Sequence, residues 1–433
     1  MVKERRRQSN IFPISMLILL IMFFVRDVMG INIPFFVYVC ELAIFYTFYR
    51  KVDFLALGCV MPLFTHGLQT YLVLGIALIF YLFKNRTVTV KRTLGLFIVL
   101  LIYEALHYFV FSFEIGEYFR YAVVYIYIGY MIGENDDILP EDCIWILKQF
   151  VIVYLAVMIV IYSQMISLVG FENTVTMRFG SLTSIKNGSY VGLYDNANML
   201  ALFSILSIGC CGQCLNSGER KAVWVSMMAI TLFFGLLTQS KAFLLCVALF
   251  VLMETFAVLS KKNVSFGRKM LTVFALSALF VCLYVFVLKD YFNVIVERFG
   301  QTDDLLSGRD SVFSGYHNYL MHNPLVLFFG TGLQNVGVCG VTNSPHNAVQ
   351  ETVVCFGLLG AIVVLSIIFS IFRVKGIHKK YTLYSLITAI LYFGFIQSIQ
   401  FFRMTSIALL LLLVYVSINI CNDKMGCGNN EFN

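Results

Sequence analysis

Charged residues are scarce in this sequence: Asp, Glu, Lys and Arg make up 13% of its 433 residues, against about a quarter in soluble domains. A cytosolic enzyme is excluded, because one soluble core could not hide the remaining apolar surface. Also missing is any long polar segment, which excludes a soluble domain on a single anchor. No internal repeat, low-complexity tract or linker divides the chain, so residues 1–433 read as one integral membrane domain. A disulfide framework is absent too. Of the 12 cysteines, Cys40, Cys59, Cys210, Cys211, Cys246, Cys282 and Cys421 lie in or at the ends of apolar runs, as small core residues do. Cys211 and Cys214 form a C-x-x-C with no second pair and no His partner, too little for a metal or redox site. Cys339 is alone in an expected external loop.

What is abundant is apolar. Hydrophobic residues reach 60%, with 42 Phe and 24 Tyr, and the mean hydropathy is +0.84. The expectation is an all-α polytopic membrane protein built from spans of about 20 residues. Apolar runs place spans near 11–25, 31–49, 54–64 with 67–83, 93–111, 118–133, 144–169, 196–214, 222–238, 242–259, 269–288, 346–372, 380–397 and 404–421. The stretch 54–83 is broken by Pro62, His66 and Gly67 and has basic residues at both ends. It reads as two short helices or a re-entrant pair. Between 12 and 14 crossings result, with the first run a retained span because it lacks a small-residue cleavage site.

The net charge of +7 invites a nucleic-acid reading, which the placement of the charges removes. Basic clusters recur between apolar runs, at Lys3 to Arg7, Arg50-Lys51, Lys84 to Arg92, Arg220-Lys221, Lys261 to Lys269 and Arg373 to Lys380. They alternate with basic-poor connections, as the positive-inside rule requires, and put both termini in the cytoplasm. A nucleic-acid face would gather them on one surface.

Two external connections, 170–195 and 289–345, are far longer than the rest. Long loops of this kind are functional or disordered. The second contains a helix-like stretch with Phe313, Tyr316, Tyr319 and Leu320 on a repeating face. The first holds Met177-Arg178-Phe179-Gly180 and leads through Tyr194-Asp195-Asn196-Ala197-Asn198 into the next span. The second begins Glu297-Arg298-Phe299-Gly300 and continues Ser307-Gly308-Arg309-Asp310, His322-Asn323-Pro324-Leu325 and Gly330-Thr331-Gly332. It ends Ser344-Pro345-His346-Asn347-Ala348-Val349-Gln350-Glu351, and the span runs on through Gly357-Leu358-Leu359-Gly360.

Ser344-Pro345-His346 reads as a helix start, with Ser as N-cap and Pro at the first helical position. His346 would then lie in the first turn, where the helix dipole disfavours imidazolium. A neutral imidazole can accept a proton as a general base. Gln350, at i+4, would share its face and orient the ring or a bound sugar. The plain alternative is an interfacial histidine that caps backbone groups. Arg178 and Arg309 stand in different loops on the same expected side as His346, and converging guanidinium groups suit a pyrophosphate. Their alternative is ordinary ion pairing, with Glu172 for Arg178 and with Asp303, Asp304 or Asp310 for Arg309. Arg298 has Glu297 and Asp290 nearby.

The order of these stretches is distinctive. Arg-x-Gly before an Asn-containing span entry, Ser-Gly-Arg, Asn-Pro with a Gly-x-Gly turn, then Pro-His-Asn-x-x-Gln ahead of a Gly-x-x-Gly span resembles the O-antigen ligase and polymerase family of bacterial envelopes. The resemblance covers roughly 170–365, its most specific part being the His-Asn-x-x-Gln start after the Ser-Gly-Arg loop. Asn196-Ala197-Asn198 stands where Pro-Asn is common, and Phe313 where a Trp often follows Ser-Gly-Arg.

The resemblance implies a multi-span, glycosyltransferase-C-like fold in the bacterial cytoplasmic membrane. It implies transfer of a glycan from an undecaprenyl-pyrophosphate carrier at the external face, with neither metal nor cofactor nor nucleotide sugar. It matches Arg178, Arg309 and His346 to the family's essential residues, with Asn198, Arg298, Asn347 and Gln350 as substrate-binding candidates. The arginines would bind the pyrophosphate and stabilise it as it leaves. His346 would take the proton of the acceptor hydroxyl, with inversion at the anomeric carbon. A repeat-unit polymerase for capsule, exopolysaccharide or O-antigen is the expected activity, with membrane lipid around it and a chain-length regulator and a flippase as expected partners. Transfer of finished glycan to lipid A-core or another acceptor is the alternative within the family. A lipid-linked oligosaccharide flippase or proton-coupled transporter is the alternative outside it, motivated by Glu41, Glu254 and the i,i+3 pair Glu104 and His107 in the spans. The plain reading of Glu104 and His107 is a mutual hydrogen bond.

Overall fold

Long apolar segments with few helix breakers satisfy their backbone groups internally as helices, and the computed structural model is a bundle of them. It describes residues 10–64, 68–85, 91–107, 109–111, 114–135, 138–174, 179–180, 184–186, 189–191, 197–216, 220–259, 265–267, 270, 309–341, 345, 347–371 and 408–423. The helices are α1 (Ile11–Asp27), α2 (Phe35–Tyr46), α3 (Lys51–Val60), α4 (Thr70–Asn85), α5 (Arg92–His107), α6 (Ile115–Glu134) and α7 (Pro140–Val169). After them come α8 (Ala197–Asn216), α9 (Lys221–Leu237), α10 (Lys241–Leu259), α11 (Arg309–His322), α12 (Pro324–Phe329), α13 (Ala348–Ile371) and α14 (Leu410–Asp423). The expected runs 269–288 and 380–397 lie outside the described residues.

Three of these helices are long and apolar enough to cross a membrane: Pro140–Val169, Ala197–Leu215 and Ala348–Ile371. Large apolar side chains on the outside of the bundle, such as Phe36, Phe83, Ile362 and Phe369, form the kind of surface that water does not tolerate over large patches. The protein is all-α and membrane-associated.

α7 organises the bundle. Pro140 sits in its first turn with Glu141 and Asp142, and Gly170 ends it, an arrangement that suits both the free N–H groups and the dipole. α1, α3, α8, α9 and α14 all pack on it. The 54–83 stretch divides into two helices, as its breakers suggest. α3 is buried from Asp53 to Val60 and ends in a 3-10 turn, Met61–Phe64. Its buried Asp53 is held by Arg50, whose backbone N–H and guanidinium both donate to the carboxylate, at 2.7 and 2.8 Å. The first long connection contains a β-hairpin, β1 (Ser184–Lys186) with β2 (Ser189–Val191), paired Ser184 to Val191.

α11 realises the helix expected in the second long connection, with a different buried face. Val312, Tyr316 and Leu320 are buried and Phe313 is half exposed, because the inward stripe follows the i, i+4, i+8 row.

Candidate functional site

Several of the stretches singled out by sequence meet where the last turn of α5 and the loop after α12 pack on the middle of α13. α13 starts at Ala348, not at Pro345: Pro345 is non-helical, and Asn347 is the cap. Its Oδ1 accepts the N–H groups of Val349 at 2.9 Å and Gln350 at 3.2 Å, while its carbonyl takes the Glu351 N–H at 2.8 Å. Asn competes well with Ser at this position because its short amide reaches the second and third N–H of the helix. His346 and Ser344 lie outside the described residues.

Gln350 does not face outward to a ligand. It is buried, and its Nε2 donates to the carbonyl of Phe313 at 2.8 Å. Thus the Asn-x-x-Gln start of α13 is tied to α11, the helix that Arg309 opens. The Arg309 side chain is not among the described ones, and Arg178 and Arg298 lie wholly outside the described residues.

α13 is broken at Gly357, whose backbone (φ 64°, ψ −176°) is non-helical. Just before the break, two carbonyls of α13 take donors from outside the helix. The Gly-x-Gly turn supplies them: Thr331 N–H donates to Val354 O and Gly332 N–H to Cys355 O, each at 2.8 Å. Non-helical backbone in an apolar helix is tolerated only when its groups are satisfied in this way.

The turn is fastened on its other side by the last turn of α5. Tyr103 donates its hydroxyl hydrogen to Phe329 O at 2.8 Å, and His107 Nε2 faces the same oxygen at 2.8 Å. Glu104 Oε1 accepts the N–H of Leu333 at 2.7 Å. Glu104 and His107 therefore make no mutual hydrogen bond. Their closest approach is 3.8 Å, and each contacts the loop instead. Gln334 adds a two-way tie to the start of α6, accepting from Glu114 N–H at 2.7 Å and donating to Glu114 O at 3.0 Å. Asn323 caps the end of α11 by donating to Tyr319 O at 2.8 Å, and Pro324 then starts α12.

A cavity of about 350 Å³ opens beside this knot, lined by Tyr103, Leu106, His107, Val110, Phe111, Leu325, Val326, Phe329 and Gly330. Its lining is almost wholly apolar, with the His107 ring as its main polar group.

Asn198 belongs to a second cluster, at the start of α8, where its Oδ1 accepts from the Ser240 hydroxyl at 3.2 Å. Phe179, next to Arg178 in sequence, is buried there. Its N–H donates to Leu237 O at 2.9 Å, and its ring stacks on Phe234 at 5.9 Å. Gly180 lies against Ala197 and Leu200 of α8. Phe179 and Gly180, the last two residues of the Arg-x-Gly stretch, are thus anchored at the start of α8.

Among the described residues, no three His, Cys, Asp or Glu side chains gather as a metal site. Sequence reading missed Tyr103, Gln334 and the Leu333 N–H. A signal for Tyr103 exists: it stands four residues before His107, on the same helix face as the Glu104–His107 pair. Comparison with protein-family models and with curated proteins finds no match for this chain.

Proposed function

We propose that the chain is a polytopic membrane glycosyltransferase of the glycosyltransferase-C type that extends a glycan carried on undecaprenyl pyrophosphate at the external face of the cytoplasmic membrane. The observation that carries this reading is the interlocking of the motif stretches. The Asn-x-x-Gln helix start is bonded to the helix after Ser-Gly-Arg, and the Gly-x-Gly turn is bonded into the Gly-x-x-Gly break. Residues far apart in sequence are thereby bonded to one another, which supports the reading of a preorganised site for charge development. In this reading Arg178 and Arg309 neutralise the departing pyrophosphate, and His346 removes the proton from the acceptor hydroxyl. The isoprenoid donor accounts for the apolar character of the whole chain.

The test is product analysis with purified protein in lipid nanodiscs and an undecaprenyl-pyrophosphate-linked repeat unit. A ladder of longer lipid-linked glycans is expected, lost in His346→Ala and Arg309→Ala. Transfer only to a different lipid acceptor would make the protein a ligase. Translocation in vesicles with no new glycosidic bond would make it a transporter and end the transferase reading.

A further inference from the structure

Four consecutive backbone N–H groups in the loop after α12 each have a named acceptor. Gly330 donates to Val326 O, Thr331 to Val354 O and Gly332 to Cys355 O, and Leu333 to Glu104 Oε1. The first closes α12 and the next two fill the break in α13. The fourth has no carbonyl to use and takes a side-chain oxygen from α5. Leu333 is fully buried and Glu104 is 2% exposed, so without that oxygen the Leu333 N–H would be buried unpaired, a substantial cost. Glycine suits the position beside them: Gly332 has φ +85°, and an added Cβ would lie 3.1 Å from Glu104 Oε1 and 3.2 Å from the His107 Cβ, so both would have to give by a few tenths of an ångström. Tyr103 packs against Gly360, past the break, where an added Cβ would come within 2.9 Å of its ring. One turn of α5 therefore grips the loop and the part of α13 past the break.

We propose that Glu104 is a positioning residue for glycosyl transfer: through the Leu333 N–H it holds the Gly330–Gly332 turn in the break of α13, and so fixes the helix start that follows His346. The proposal rests on the transferase reading above. Glu104 touches neither donor nor acceptor in it. The carboxyl acts by holding backbone, so any side chain with an acceptor oxygen at that place serves. A lost anchor lets the start of α13 shift, and displacements near 1 Å reduce turnover on the order of 100-fold.

The experiment compares wild type, Glu104→Gln and Glu104→Ala in nanodiscs. The readouts are steady-state transfer kinetics and hydrogen–deuterium exchange of peptides covering 329–335. Glu104→Ala is expected to lose kcat on the order of 100-fold with KM changed less than about threefold, and to lose protection at 331–333. Glu104→Gln, which keeps the acceptor, is expected to retain both. Should the alanine variant fail to purify as a monodisperse species, Glu104→Met fills the volume without an acceptor. Full turnover in the alanine or methionine variant overturns the proposal. So does a glutamine variant with intact protection and lost turnover, which would mean that the carboxyl takes part in the chemistry. If wild type transfers no glycan, the transferase reading fails and the catalytic half of the proposal with it. Exchange still decides the anchor, since unchanged protection in the alanine variant shows that Glu104 does not hold the loop.

Discussion

Gly330 stands against the backbone of Gly357, so close that a Cβ on Gly330 would lie 2.6 Å from the Gly357 nitrogen and 2.3 Å from the Cys355 oxygen. The contact is reciprocal in kind, because a Cβ on Gly357 would lie 2.4 Å from the carbonyl of Phe328. Both glycines have positive φ, +80° and +64°, and both neighbours are backbone that cannot rotate away. Gly330→Ala and Gly357→Ala should each cost at least about 1–3 kcal/mol from the strained conformation alone, with the clash in addition. Thermal unfolding in detergent should show both well below wild type. Gly95→Ala on α5, where an added Cβ meets nothing, should be neutral or slightly stabilising.

Much of this architecture is legible in the sequence because apolar runs and their breakers are local signals. Pro62, His66 and Gly67 announce the division of the 54–83 stretch, and the two helices on either side of it follow. The start of α13 is less legible, since Ser344-Pro345 and Asn347 are both good starts by composition. Only the side-chain geometry selects Asn347. The site's wiring is least legible, because it consists of long-range bonds from side chains to backbone. Nothing in the spacing of Glu104 says that its partner is an N–H more than two hundred residues away. For the same reason His107, which suggests a bond to Glu104 at i,i+3, instead faces the Phe329 carbonyl.

Gln350 joins α13 to α11 through one hydrogen bond, and its other amide atom, Oε1, is buried with no hydrogen-bond partner among the described residues. Gln350→Ala leaves the Phe313 carbonyl without this donor, at a cost near 1 kcal/mol. Gln350→Glu removes the donor and sets an acceptor against the carbonyl, and should be worse. The expected order of both thermal stability and exchange protection around 309–316 is wild type, then alanine, then glutamate. An alanine variant less stable than the glutamate variant would mean that the bond to Phe313 is not what Gln350 contributes.

Asn347 separates a folding role from a binding one. Asn347→Ala should destabilise by about 1 kcal/mol through loss of the cap. Asn347→Asp keeps an acceptor oxygen for the Val349 and Gln350 N–H groups and places a negative charge at the positive end of the helix, so stability should hold or rise. If the donor pyrophosphate binds near this helix start, the same charge repels it. Kinetics of Asn347→Asp should then show a raised KM for the lipid-linked donor with thermal stability unchanged. An unchanged KM would place the pyrophosphate elsewhere.

Cys339 lies in the 3-10 turn Val336–Cys339, where burial pushes its thiol up to about 11, above the ordinary value near 8.5. Since the folded protein favours the neutral thiol, its contribution to stability is complete below about pH 8.5 and disappears as pH climbs through 11. The stability difference between wild type and Cys339→Ala should therefore shrink across that window. Alkylation gives a second readout, because the thiolate is the reactive species. With a membrane-permeant maleimide and peptide-resolved mass spectrometry, modification at Cys339 should still rise about tenfold per pH unit between 8.5 and 10. A rate that levels off near pH 8.5 would show an ordinary, solvated thiol and would sink the assignment of this turn as buried.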